Sequence, residues 1–414
     1  MTEVIVIGGG AAGMMAALQC ALSGGSVTLL EGNEKLGKKV YITGKGRCNL
    51  TNDCTLDEFM QQVAHNPRFL YSALNGFTPQ DMMSLLEENG CPVVVQRGRR
   101  VFPATEKASD VTRTLTRLMQ QAGVKVRLNT KVQDILVEDG QVQGVITRQG
   151  ERLPAGQVIL ATGGQSYPVT GSDGDGYRLA EKLGHTVLPP TPVLSALVSN
   201  AEWVRRLQGL SLKNVTLTLQ SGKKRLYREQ GEMLFTHFGI SGPLVLEMSC
   251  HLPEKPAEAR VELNLKPALT PEQLDARLQR EFAAQNRKQL RNVLPSLLPG
   301  RLAEEFPALA GVSGDAVCGQ ITKEDREKIL HTLQCLIIPV AGLRPLAEAI
   351  VTRGGVSVKE VTPSTMESKL VHGLYFAGEL LDVDAHTGGY NLQIAWSTGA
   401  AAGRAAAAAS FAQE

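Results

Sequence analysis

The first thirty-one residues set the tightest constraint on what this chain can become. Thr2–Ile7 (TEVIVI) is a short β-branched run, Gly8-Gly9-Gly10-Ala11-Ala12-Gly13 follows at once, and Met14–Ser23 is rich in alanine and leucine. A second apolar run, Ser26–Leu30, ends on Glu31, eighteen positions after Gly13. Strand, glycine turn, helix, strand and acid in that order make a βαβ unit with G-x-G-x-x-G at its first turn. Gly8 permits the tight turn, Gly10 leaves the backbone bare for a pyrophosphate, and Gly13 lets helix and strand pack closely. The N–H groups of the first helical turn, with the positive end of the dipole behind them, then face the phosphates. Glu31 is placed to accept both hydroxyl protons of an unphosphorylated ribose and would repel a 2′-phosphate. The pattern calls for a dinucleotide and leaves FAD and NAD both open.

Length and charge narrow the class further. A chain of 414 residues is expected to form about two or three domains. Hydrophobic content of 43% with 20% charged residues describes an ordinary globular enzyme, and a net charge of +2 argues for neither nucleic acid nor membrane as partner. The longest basic tract, Gly222-Lys223-Lys224-Arg225, reads as a solvated hairpin turn. Seven cysteines (20, 48, 54, 91, 250, 318 and 335) with no C-x-x-C pair fit free thiols in a reducing cytoplasm, and count against zinc or a dithiol couple. The apolar N-terminus is no signal peptide, because Glu3 replaces the basic region and the glycines split the apolar core. Ala400–Ala409, broken by Gly403 and Arg404, reads as a buried terminal helix rather than a membrane span. The expectation is a cytoplasmic protein that binds no metal.

Strands and helices alternate from residue 1 to 187. Helices are expected at Gln80–Asn89 and at Ser109–Ala122, the latter capped by Ser109, and a third helix ends at Ala180–Leu183 before Gly184. Strands are expected at Val124–Leu128, Val132–Glu138, Val142–Arg148 and Val158–Ala161, with a hairpin turn at Glu138-Asp139-Gly140. Leu188-Pro189-Pro190-Thr191-Pro192 reads as a stiff crossover into a different texture. Short strands (Ser211–Gln220, Arg225–Tyr227, Arg260–Leu265) then suggest a small antiparallel sheet or barrel, followed by helical Thr270–Phe306 and Thr322–Thr332 and a strand at Leu336–Val340. A strand at Ala349–Arg353, a turn at Gly354-Gly355, the strand Gly373–Ala377, a loop and a small-residue helix from about Asn391 close the chain. That ending returns to the first domain. The layout is therefore a first FAD-type segment at 1–187, an insertion at 188–343 (β-rich 188–267, helical 268–333, returning strand 334–343) and a second segment at 344–414.

Several further stretches carry chemistry. Ile159-Leu160-Ala161-Thr162-Gly163-Gly164 is an apolar strand ending in a bare turn, and Gly378-Glu379 repeats that strand-then-glycine logic, with Glu379 suited to ribityl hydroxyls. Thr387-Gly388-Gly389-Tyr390-Asn391 opens a helix whose N–H groups suit the N1/C2 edge of a flavin. These elements tip the dinucleotide to FAD. Leu36–Asn52 (LGKKVYITGKGRCNLTN) is too polar for a core and too glycine-dependent for a linker. It is expected to run along the cofactor, with Lys38 or Lys39 near phosphate and Arg47-Cys48-Asn49 near the ring; Cys48 is either a thiol beside flavin or a small packing residue. Gly171–Gly176 (GSDGDG) lacks the downstream glutamate of a calcium loop and reads as a cofactor- or substrate-facing turn. His237, within Glu232–Pro243, and His386 are each either a proton donor or a satisfied structural histidine, and Arg47 joins them as a catalytic candidate. No second dinucleotide fingerprint follows, so NAD(P)H is expected to dock only transiently, or electrons come from elsewhere.

These motifs resemble those of the bacterial FAD flavoproteins called BaiN-like or aminoacetone-oxidase-like, distant relatives of fumarate-reductase flavoproteins. The resemblance rests on Gly8–Gly13, Thr43–Asn52 (TGKGRCNLTN), Ala161–Gly164, Gly171–Gly176, Leu234–Pro243 (LFTHFGISGP) and Tyr375–Gln393 (YFAGELLDVDAHTGGYNLQ), in order along nearly the whole chain. Lys45 stands where many relatives carry glycine. The resemblance implies an α/β, three-layer Rossmann-like FAD-binding domain with an inserted β-barrel-like domain and a helical subdomain. It also implies reduction of carbon–carbon double bonds in steroid-like enones or, in another branch, amine oxidation. The residues expected to line FAD are Gly8, Gly10, Ala11, Ala12, Gly13, Glu31, Lys38, Lys39, Thr43, Gly46, Arg47, Cys48, Asn49, Val132, Ala161, Thr162, Gly163, Gly378, Glu379, Gly389, Tyr390, Asn391 and Leu392. The expected chemistry is hydride transfer to or from a small-molecule substrate next to a carbonyl. The alternatives are an oxygen-using amine oxidase and, from another class, a non-catalytic flavin-binding or RNA-modification factor.

Overall fold

Residues 3–253 and 259–412 are described by the computed structural model. Contacts divide the chain into two units, Met1–Val193 with Pro345–Glu414, and Leu194–Arg344.

The first unit is built on a five-stranded parallel sheet in the order Leu374–Phe376, Gln157–Leu160, Val4–Ile7, Val27–Leu30, Lys125–Arg127. Val6 pairs with Ile159 on one side and Leu29 on the other, so the fingerprint strand is central. All four of its residues are buried, which is why the run reads as continuously apolar rather than alternating. The last strand pairs parallel with Gln157–Leu160, so both ends of the chain share one sheet.

The helices that follow those strands also meet. Helix Ala11–Leu22 packs against the C-terminal helix Tyr390–Ala412. A Cβ on Gly399 would come within 2.4 Å of the Ala12 carbonyl oxygen, and one on Gly403 within 2.2 Å of that of Ala16. Glycine spaced by four thus lets two backbones approach more closely than side chains permit. The alanine-rich ending is the matching face of the first helix.

A three-stranded antiparallel sheet, Val132–Glu138, Gln141–Thr147 and Arg152–Pro154, flanks this core. Its first turn puts Asp139 at φ 49° and Gly140 at φ 76°, the left-handed pair that a tight hairpin demands.

Four local expectations give way. Leu188–Pro192 is not a free crossover: Val187–Val193 is a strand antiparallel to Val351–Val356, with a register shift between Leu188 and Thr191. Pro189 and Pro190 fall in that shift, where no ladder N–H is required. Gly354-Gly355 is not a turn but lies inside the partner strand. A Cβ on Gly354 would sit 2.5 Å from the Pro189 oxygen, so these glycines serve close backbone approach. The helix begins at Ala108 with Lys107 as its N-cap, so Ser109 is inside it. The long helical stretch after Thr270 divides into Pro271–Ala284, Leu290–Val293 and Gly300–Ala310, interrupted around Pro295 and Pro299.

The second unit carries a seven-stranded antiparallel sheet, ordered Leu336–Pro339, Ala259–Asn264, Ser211–Ser221, Lys224–Thr236, Gly239–Ser241, Leu197–Val198, Gly342–Leu343. Its own core joins Leu217, Phe235, Leu263 and Ile338 of the sheet to Leu274, Phe306 and Ile329 of the helices. No helix among the described residues is long and apolar enough to cross a membrane.

Candidate functional site

The three glycines of the fingerprint do different work. Gly8 has φ +102°, and a Cβ there would lie 2.5 Å from the Ala161 carbonyl oxygen. A Cβ on Gly13 would stand 1.7 Å from the Gly8 oxygen. Both are forced by protein neighbours. Gly10 differs: nothing lies within 4 Å of its would-be Cβ. It is also the N-cap of helix Ala11–Leu22, without a side-chain cap and without an acid in the first turn. That helix end therefore keeps its donors for something other than the protein.

Around this turn the polar groups are ordered. Glu31, 8% exposed, accepts from the Gly9 N–H (2.6 Å) and from the backbone and side-chain N–H groups of Asn33 (2.7 and 2.6 Å). Lys38 donates to Asn33 Oδ1 and Glu34, each at 3.1 Å. Val132 is buried in the flanking sheet. The ends of adjacent strands bring Ala161 alongside Ile7 and Ala377 alongside Leu160, through Ala161 N–H to the Ile7 carbonyl (2.9 Å) and Ala377 N–H to that of Leu160 (3.1 Å). Thr162 Oγ1 is buried and has no hydrogen-bond partner among the described residues. Gly378, at φ +74°, donates its N–H to Thr398 Oγ1 (2.9 Å). Next to it, Glu379 accepts from Lys39 Nζ (2.6 Å), Thr352 N–H (2.8 Å) and Ser166 Oγ (3.2 Å). The first glycine turn, the Ala161–Gly163 turn and Gly378-Glu379 thus stand together.

The polar loop and the last helix are stitched to each other. Gly44, Lys45, Gly46 and Cys48 all have φ between 57° and 88°, a left-handed run that folds the loop on itself. Asn52 Nδ2 donates to the Gly388 carbonyl (3.0 Å), Thr51 Oγ1 to Gln393 Oε1 (2.7 Å) and Trp396 Nε1 to the Leu50 carbonyl (3.0 Å). The Asn49 amide, oriented by its neighbours, donates to the Thr51 carbonyl (3.2 Å) and accepts from Gly389 N–H (3.0 Å). A Cβ on Gly389 would be 2.2 Å from the Thr51 oxygen, so this seam requires glycine. Thr43 caps back onto the Val40 carbonyl, Tyr390 sets its ring edge-on to Phe59, and Leu392 packs against the core. Asn391 spends its amide on Ala385 and His386 of its own loop.

Other candidates are placed less suggestively. Arg47 pairs with Glu106 (3.0 Å) and stacks over Phe102 (4.5 Å). Cys48 is fully buried, and burial pushes its thiol up to about 12, which makes it a packing residue rather than a nucleophile. His237 is exposed at a hairpin tip of the second unit, edge-on to Phe238. His386 is half-buried and donates its backbone N–H to the Gln62 carbonyl (2.9 Å). In the GSDGDG turn, Asp173 and Asp175 pair with Lys131.

One polar cluster of the first unit escaped sequence reasoning. His65 Nε2 lies 3.1 Å from Asp382 Oδ2, and Asn66 Nδ2 donates to the same oxygen (2.9 Å). Arg353 grips the fully buried Asp384 through two 2.8 Å contacts. The signal was there: two acids, Asp382 and Asp384, inside an otherwise apolar run, where a carboxylate needs a partner.

The chain matches the model of the HI0933-like protein Rossmann domain family over residues 2–405. It belongs to that family. Among curated proteins it is 32% identical to the 3-dehydro-bile acid delta(4,6)-reductase of Clostridium scindens, over 98% of this chain and 99% of the relative. It is 34% identical to the ribosomal RNA dihydrouridine synthase of Haemophilus influenzae, over 96% of each. Its fold is that of a flavocytochrome c3 fumarate reductase (TM-score 0.54, 17% identity, 98% of this chain and 78% of that one). The 3-ketosteroid-delta4-(5alpha)-dehydrogenase of Rhodococcus jostii RHA1 shares that fold (TM-score 0.54, 15% identity, 98% and 96%). This HI0933-like chain is an FAD-dependent oxidoreductase, and the fold class read from its sequence stands.

What the residues leave open fits FAD. The gap at Gly10 and the uncapped helix start behind it suit a pyrophosphate. A buried carboxylate, Glu31, stands beside them, held by the Gly9 N–H.

Proposed function

We propose that this chain reduces a carbon–carbon double bond conjugated to a carbonyl, with NAD(P)H as the electron source. The observation that carries the reading is the pair of full-length relatives. A delta(4,6)-reductase saturates ring double bonds, and dihydrouridine is uridine with its ring double bond saturated. One reaction type underlies both names, so the shared chemistry is the firmer part of the proposal. When bound, FAD supplies two-electron hydride chemistry at its N5 atom.

Each part of the chain has a task in this reading. The Gly10 backbone and the start of helix Ala11–Leu22 receive the pyrophosphate, and Glu31 receives the adenosine ribose. Lys39 and Glu379, already paired, hold the ribityl and phosphate stretch. The Gly389–Leu392 helix start would hold the N1/C2 edge of the flavin, and its N–H groups would favour negative charge there. The Thr43–Asn49 loop, seamed to that helix by Asn49 and Asn52, walls the ring from water. Seven free thiols suit a reducing compartment such as the cytoplasm.

A second reading of the substrate puts the double bond in an RNA uracil, favoured by the two relatives named ribosomal RNA dihydrouridine synthase. The experiment is anaerobic. NADH or NADPH should bleach the flavin absorbance, and 4-androstene-3,17-dione or a ribosomal RNA transcript should restore it. Restoration by air alone, with hydrogen peroxide and an amine as the productive pair, would replace this reading with the amine oxidase.

A further inference from the structure

His65, Asn66, Asp382, Arg353 and Asp384 form a constellation outside the residues assigned to FAD above. His65 ends the strand Val63–His65, which pairs antiparallel with Asp384–Ala385, His65 opposite Asp384. Two residues after Ala385 the chain enters Thr387-Gly388-Gly389, the turn seamed to the Thr43–Asn52 loop. Asp382 is 3% exposed, and its Oδ1 is buried with no hydrogen-bond partner among the described residues. Its Oδ2 faces His65 Nε2 at 3.1 Å and Asn66 Nδ2 at 2.9 Å, and Asn66 Nδ2 also donates to the Asp382 carbonyl at 2.7 Å.

A buried carboxylate calls for a cation. The guanidinium of Arg353 is committed to Asp384 by two 2.8 Å contacts. The group in place to balance Asp382 is therefore the imidazole of His65. Its side chain is 41% exposed, so the ring meets both a buried acid and solvent. The Nε2 contact fixes which nitrogen carries the permanent N–H and leaves Nδ1 with no hydrogen bond to the described residues.

We propose that His65, positioned by Asp382, donates the proton that completes saturation of the conjugated double bond. This rests on the reductase reading above. The double bond takes a hydride at the carbon β to the carbonyl and a proton at the α carbon. The electron pair arrives with the hydride, drawn from a reduced nicotinamide. The proton leaves Nδ1 of the imidazolium, Nε2–H stays on Asp382, and solvent at the exposed ring returns the proton. His65 is the catalytic residue of this step and Asp382 its positioning residue.

The test compares the wild-type FAD holoenzyme with His65→Gln and Asp382→Asn. Each is reduced anaerobically and reoxidised either by 4-androstene-3,17-dione or by oxygen. Binding of para-chlorophenol, an enolate mimic, to the oxidised protein is read from the flavin spectrum. In His65→Gln, reoxidation by the enone should slow about 100-fold or more. FAD content and reoxidation by oxygen should stay unchanged, and the phenol should bind about tenfold more weakly. Asp382→Asn, which keeps an acceptor without the charge, should slow the enone step about tenfold and leave the oxygen step alone. Wild-type enone rates in His65→Gln overturn the inference while leaving the reductase reading intact. Equal slowing with both oxidants, or loss of FAD from both variants, overturns it in favour of a structural role. A wild-type protein that oxygen reoxidises but enones and RNA do not overturns the reading and the inference together.

Discussion

The Gly8–Gly13 turn and the His65–Asp382–Arg353–Asp384 cluster sit in the same unit and are built in opposite ways. The turn works by leaving side chains out: its neighbours are backbone atoms at distances no Cβ tolerates, and at Gly10 open space. Its parts are contiguous. The cluster works by joining side chains that the sequence keeps apart: His65 lies 317 residues from Asp382, and Arg353 lies 31 from Asp384. A contiguous device carries its physics in its spacing. An assembled one carries it in the topology.

The difference can be broken or sharpened by substitution. The largest effect is expected at Gly13. Its Cβ would strike the Gly8 oxygen at 1.7 Å, so Gly13→Val should cost about 4 kcal/mol or more and leave little soluble protein on gel filtration. Gly10→Val should do the reverse. The fold should persist, with a melting curve like that of apoprotein, while FAD affinity falls about 100-fold or more by equilibrium dialysis; full flavin retention would refute the assignment. At the assembled cluster, Asp384→Ala removes the buried carboxylate that Arg353 grips through two contacts and leaves a cavity in its place. The expected loss is about 3 kcal/mol in chemical denaturation, at the low end for a broken pair because Arg353 keeps 29% of its side-chain surface in solvent.

The smallest effect concerns a look-alike. Ser368 Oγ, His185 Nε2 (2.9 Å) and Glu360 (3.3 Å from Nδ1) are arranged like a hydrolase triad. Yet Ser368 is buried and already accepts from the Leu370 and Val371 N–H groups, so it pins a loop. Burial holds His185 below its usual value, against the opposing pull of Glu360. The folded chain then binds fewer protons than the unfolded one below about pH 6.5, so this contribution is complete above that pH and fades as pH falls. His185→Gln should flatten the acid-side slope of the melting temperature, and an unchanged slope would show the histidine is not its source.

How much was legible follows from the same contrast. The parallel sheet, the return of the chain end to it and the Asp139-Gly140 hairpin could be read because local patterns decide them. Gly354-Gly355 and Leu188–Pro192 were misread because their meaning lies in a partner strand more than 150 residues away. The loop Thr43–Asn52 was recognised as unusual, but its seam to Gly388 and Gly389 needed coordinates. His65 was invisible. A lone histidine in Val-Ala-His-Asn looks like any other until Asp382 is placed against it.

Saturation of a conjugated double bond is the reaction proposed for this flavoprotein. The direct measurement is mass spectrometry of 4-androstene-3,17-dione after turnover with NAD(P)H in deuterium oxide. The expected product is saturated, with one solvent deuterium at the α carbon and a nicotinamide-derived hydrogen at the β carbon. An unchanged steroid and an unchanged ribosomal RNA transcript, alongside peroxide formed from an amine, would contradict it.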